Sequence, residues 1–220
     1  MLINVNSTTL FYEKAGSGHP LIMLHGNGET HDIFDKAMPL LSKRFTVYAL
    51  DTRGHGQSAP ASEYHYQDMA EDVFCFITAL ALEKPVFYGF SDGAIIGILL
   101  ASKHPELFSR LILSGANLRP EGIRPFWLRL FKLIYKKTAD PKMKMMLEEP
   151  SISKAELSKI TAPTTVIAGG RDMVLRAHTQ EIARGIKGSR LIILPLYGHG
   201  SYIVHRRKIA KLILAETDGD

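Results

Sequence analysis

The chain has 220 residues, 45% of them hydrophobic, with a formal net charge of +5 and one cysteine. That composition excludes disorder and a disulfide framework, and suits one domain with a full core. No apolar run reaches the ~20 residues that cross a bilayer, and the opening MLINVNSTTLFYEKAG lacks the basic start and apolar block of a secretion signal.

Taken in order, MLINV and TTLFYEKAG read as an opening hairpin turned at Asn6-Ser7. PLIMLHG is a strand ending in glycine. HDIFDKAMPLLSKR has helical spacing, with Ile33, Phe34, Met38, Leu40 and Leu41 on its apolar side. FTVYALD is a strand, YQDMAEDVFCFITALAL a helix, PVFYGF a strand, AIIGILLASKH a helix and RLILSGA a strand. After residues 116–160 come TTVIAGG (strand), AHTQEIARGIKG (helix), RLIILP (strand) and IVHRRKIAKLILAE (helix). Short apolar strands alternating with helices imply parallel pairing through crossovers. The fold class expected is therefore α/β, with a mostly parallel central sheet of about eight strands and helices on both faces.

The break in this rhythm is the segment 116–160, which takes several helical pieces punctuated by Pro120, Pro125, Pro141 and Pro150. It reads as a small helical excursion within a single 1–220 domain. Residues 119–145 carry eight Lys/Arg against Glu121 and Asp140, so this stretch alone is +6 and the remainder is close to neutral. Cys75 sits in an apolar-periodic helix and reads as a small buried hydrophobe, which fits a reducing, cytoplasmic setting.

Ligands of open α/β sheets bind beyond the carboxyl ends of the strands. The residues that follow each strand are HGNG (25–28), DTRGHGQS (51–58), GFSDG (89–93), GGRD (169–172) and YGHG (197–200). A serine, an acid and a histidine fall at that edge in the order Ser91, Asp172, His199. The acid position after RLILSGA holds Asn117 instead. No zinc spacing, GxGxxG or P-loop occurs, which leaves metal and nucleotide chemistry without support.

These five edge motifs, in register over nearly the whole chain, make the sequence resemble the α/β-hydrolase fold family, in its serine-nucleophile branch with a small cap. The resemblance implies a serine hydrolase. Ser91 would be the nucleophile on a strained strand-to-helix turn, His199 the base, and Asp172 the group that orients and stabilises the imidazole. It also puts oxyanion donors at the backbone N–H groups of Asn27 and Asp92. The substrate implied is a small-molecule ester, thioester or amide, with no cofactor, no metal, no nucleic acid and no stable membrane insertion. Two competing readings share the fold: a ligand receptor with slow or no turnover, and a lyase or perhydrolase using the same triad. Dehalogenases and epoxide hydrolases of this family need an aspartate where Ser91 stands.

His25 and His55 read as loop architecture, Asp51 and Arg53 as loop anchors, and His205 as a surface residue inside a helix. FWLRLFKLIYKK (126–137) reads as an amphipathic helix, with Phe126, Trp127, Leu130, Phe131, Leu133 and Ile134 broadly on one side. By resemblance it lies over the catalytic edge. Trp127 and Phe131 are expected to line the acyl pocket, helped by Met143, Met145 and Met146. Its cations are expected to be mainly a solvated face.

Overall fold

The computed structural model describes residues 1–218. Its sheet has eight strands: β1 (Leu2–Val5), β2 (Thr8–Ala15), β3 (His19–Leu24), β4 (Phe45–Leu50), β5 (Val86–Phe90), β6 (Arg110–Ser114), β7 (Thr164–Arg171) and β8 (Arg190–Gly198). The strand order is β1-β2-β4-β3-β5-β6-β7-β8. β1 and β2 pair antiparallel, as do β2 and β4, and every later pair is parallel. Asn6 and Ser7 both take positive φ, 46° and 58°, the geometry of a tight turn whose twist suits a two-residue hairpin.

Helices α2 (Tyr66–Ala79), α3 (Asp92–Lys103), α6 (Lys154–Ser158) and α7 (Arg176–Gly185) cover one face. Helices α1 (Met38–Leu41) and α8 (Lys208–Thr217) cover the other. β3 shows why a strand at the centre is apolar throughout. Ile22 and Leu24 point into the core under α2 and α3, while Leu21 and Met23 point into the core under α1 and α8. All four are fully buried, so neither parity of side chain faces water.

Three elements depart from the pattern. The expected helix over 31–44 is broken into a 3-10 turn at His31–Phe34 and the single turn of α1. Pro39 has no N–H to donate back along the chain, so no continuous helix can pass through it. The last helix begins at Lys208 rather than near 203. His205 lies in the turn before it, with φ +52°, donating its N–H to the Ile33 carbonyl at 2.8 Å. Its ring meets Asp35 at 3.0 Å. β8 runs past Pro195 to Gly198, with a register shift against β7 between Gly169 and Arg171. Cys75 is free and half-buried rather than fully enclosed.

Within 116–160 lie α4 (Pro125–Thr138), α5 (Pro141–Glu148) and α6. Leu157 and Ile160 lie in the core, so α6 packs with the body. α4 has no buried residue, and α5 has one, Met145. Among the described residues no helix is long and apolar enough to cross a membrane.

Candidate active site

β3 lies between β4 and β5, and the chain reverses its direction of winding there. The loops after β3 and β5 diverge at this point and open a crevice. Ser91 occupies the joint between β5 and α3 with φ 53° and ψ −113°, a left-handed backbone that a non-glycine residue adopts only when its surroundings force it. The force is packing. A Cβ on Gly89 would sit 2.3 Å from the Gly93 carbonyl oxygen, and one on Gly93 would sit 2.6 Å from that of Leu24. With both glycines the turn closes, and the Ser91 N–H donates to the Ser114 carbonyl at 2.8 Å.

His199 stands one residue past β8. Its Nε2 lies 3.0 Å from Ser91 Oγ, and its Nδ1 lies 2.6 Å from Asp172 Oδ1. Asp172 is buried after β7 and also accepts N–H groups from Val174 at 2.9 Å and Gly169 at 3.3 Å. Burial alone would raise its carboxyl. The His199 hydrogen bond and charge, with the Val174 and Gly169 donors, outweigh burial and hold it below the usual carboxylate value. A carboxylate so held keeps Nδ1 as the donor nitrogen and leaves Nε2 facing Ser91 Oγ as an acceptor.

Asp92 opens α3, and Asn27 stands in the loop after β3. Among the described residues neither backbone N–H has a hydrogen-bond acceptor. Their side chains are engaged with each other: Asn27 Nδ2 donates to Asp92 Oδ2 at 3.1 Å and to the Lys142 carbonyl at 3.3 Å. Tyr66 of α2 donates its hydroxyl to Asp92 Oδ1 at 2.8 Å. Burial pushes the Asp92 carboxyl up to about 6, while the Tyr66 and Asn27 hydrogen bonds and the charge of His199 pull the other way. Sequence reasoning assigned Asp92 and Asn27 only their backbones. The pairing spans 65 positions and has no local signal.

His25 holds the same loop from behind. The Thr52 N–H can only donate, so Nε2, at 3.1 Å, must accept. Nδ1 therefore carries the proton and donates to the Gly26 carbonyl at 2.8 Å. Burial, followed by the charge of His55, pushes its ring down to about 4, so it is neutral. Asp51 is fully buried and accepts the His31 and Gln57 N–H groups. Arg53 grips Asp72 through two bonds of 2.6 Å. His205 contacts neither Ser91 nor Asp172.

A cavity of about 230 Å³ opens over Ser91 and His199. Phe90, Phe131, Met143, Met146 and Met173 give it apolar walls, and Asn27 and Glu29 bring polar groups to it. Trp127 is not in the lining. It stands one turn before Phe131 on the same face of α4, ring centroids 6.2 Å apart, and packs against Phe131, which reaches the cavity. Met145 is a further departure: it turns into the core. Glu29 was missed in the sequence. Its carboxylate accepts the Gly26 N–H at 3.0 Å, and burial first of all raises its pKa, against the Gly26 donor and His199. Its place just past HGNG, in an edge loop, was the available signal.

Residues 19–140 match the family model described as the alpha/beta hydrolase fold. The chain is 32% identical to the AB hydrolase superfamily protein YisY of Bacillus subtilis, with 93% of this chain and 94% of that protein covered. It is 29% identical to the human serine hydrolase BPHL, covering 93% of this chain and 80% of that one. Among solved structures, the enol-lactonase of Burkholderia xenovorans superposes with a TM-score of 0.81 at 21% identity, over 98% of this chain and 99% of that one. An eight-stranded sheet with this connectivity, matched along its length by such relatives, places the chain in the α/β-hydrolase fold family.

Proposed function

We propose that the protein is a serine hydrolase that cleaves an ester, thioester or amide of a small acyl substrate through an acyl-enzyme. The observation that carries this reading is the unbroken chain from Ser91 Oγ through the His199 ring to Asp172 Oδ1, at 3.0 and 2.6 Å, opening on an apolar cavity. His199 Nε2 takes the Ser91 proton as Oγ attacks the acyl carbonyl. The N–H groups of Asn27 and Asp92 receive the oxyanion, aided by the positive end of α3. His199 then returns the proton to the leaving group, and a water enters by the reverse steps to free the acid and Ser91. The cavity takes the acyl chain, with α4 and α5 as its roof. The serine hydrolase among the relatives agrees with this chemistry.

The test is a fluorophosphonate probe, which should leave one adduct, on Ser91, and none in folded Ser91→Ala. Ser91→Ala or His199→Ala should lower kcat on an aryl ester by roughly 10⁴ or more, with Asp172→Asn somewhat milder. A folded wild type that neither labels nor turns over an ester would overturn the reading.

A further inference from the structure

α4 is apolar on two faces. Its inner face, with Trp127, Leu128, Phe131 and Tyr135, is half-buried, and Phe131 reaches the cavity. On a 3.6-residue turn, Phe126, Leu130, Leu133 and Ile134 fall together on the opposite, outer face. Phe126 is 71% exposed, Leu133 59%, and Leu130 and Ile134 36% each. Four large apolar side chains side by side on one exposed helix face form a contact surface with nothing against it. Arg129, Lys132 and Lys136 line the flank of this face, and Lys137 stands at its carboxyl end. The helix carries no acid, and none of these cations has an ion-pair partner among the described residues.

We infer that the outer face of α4 is a docking surface for an anionic lipid layer, lying in the headgroup plane with its cations on lipid phosphates. An amphipathic helix with an outward apolar face and a basic flank has the make-up of an interfacial element. The charge decides the occupant. A second copy would bring four unpaired cations against four more, and a neutral surface would leave them unused. An anionic layer uses both halves of the face, with the long lysine stems lying along the apolar contact. Because Phe131 hangs from the inner side of the same helix, docking would set the cavity roof at the lipid boundary. This goes beyond the proposed hydrolase activity and does not depend on it.

Co-sedimentation of the full chain with vesicles of phosphatidylcholine, with and without about one quarter phosphatidylglycerol, tests it at low salt. The protein should bind the anionic vesicles and leave the neutral ones. Phe126→Ser with Leu133→Ser, and separately Lys132→Glu with Lys136→Glu, should each weaken that binding by roughly tenfold or more. All four substituted positions are exposed, so both variants should keep wild-type probe labelling of Ser91, which reports folding. No binding to anionic vesicles, equal binding to neutral ones, or binding unchanged in both variants would overturn the inference. So would light scattering that shows a dimer dissociated by Phe126→Ser with Leu133→Ser, which would give the face to a second copy. Vesicle binding without ester turnover would instead tell against the hydrolase reading alone.

Discussion

Two buried titratable residues, Asp92 next to Ser91 and His25 in the loop after β3, set opposing pH slopes on stability. Asp92 ionises near 3.8 in an unfolded chain and near 6 in the folded one. Between those values the folded state holds a proton that the unfolded state has released, so stability falls as pH rises across the window. Two units correspond to roughly 3 kcal/mol. His25 does the reverse: its ring, down from 6.5 to about 4, is neutral when folded, so stability falls as pH drops from 6.5 toward 4. In the wild type these slopes oppose each other between about 4 and 6. In Asp92→Asn the histidine slope stands unopposed. Urea unfolding at pH 4 and pH 7 should therefore show Asp92→Asn gaining roughly 3 kcal/mol on the wild type as pH rises. A difference that stays constant with pH would mean Asp92 is not held protonated by its burial. The elbow makes a second prediction at this scale. Gly89→Ala forces a Cβ to 2.3 Å from a backbone oxygen that cannot rotate away. The variant should lose Ser91 labelling and roughly 3 kcal/mol or more of stability, whereas Gly28→Ala, with open space around its Cβ and only the strain of a side chain at φ +72°, should lose less, roughly 1 kcal/mol, and keep labelling.

At the scale of elements, most strands were legible because their apolar runs are bounded by glycine, proline or charge. Ser91, Asp172 and His199 were legible because each follows a strand, and parallel strands bring their carboxyl ends to one edge. What could not be read was pairing at a distance: Asn27 with Asp92, Tyr66 with Asp92, and Glu149 of the α5 terminus with His65 and the Tyr66 N–H. Nor did the pattern show that α4 divides its apolar residues, since a run so rich in them reads as one broad face. The difference matters for specificity. Phe131→Ala should enlarge the cavity and shift the preferred ester toward longer or bulkier acyl chains, while probe labelling persists. Trp127→Ala acts only through the seat of Phe131, so its shift should be smaller. Equal profiles for Phe131→Ala and wild type would remove α4 from the pocket.

For the whole molecule, order is uneven. The sheet and its covering helices share two continuous cores, whereas α4 buries no residue. Opening α4 exposes only its half-buried inner face and costs less free energy than opening any helix of the two cores, so it should open before the body does. Limited trypsin digestion should cut first at Arg129, Lys132, Lys136 or Lys137, leaving the flanking parts protected. First cuts in α2 or α8, read by mass spectrometry, would contradict that ranking.

The Lys142 carbonyl gives one more consequence. That oxygen, in the first turn of α5, receives the Asn27 amide, and the Lys142 ammonium reaches the Gly54 carbonyl at 2.9 Å. The floor loop and the ceiling helix are stitched by the same residue. On the proposed roles, an acyl chain that sits badly under α5 also tilts the donor waiting for the oxyanion. Misfit would then be registered at the summit of the barrier more than on arrival. Across a graded series of esters, turnover should discriminate more sharply than affinity, and Asn27→Ala should blunt that discrimination by cutting the stitch.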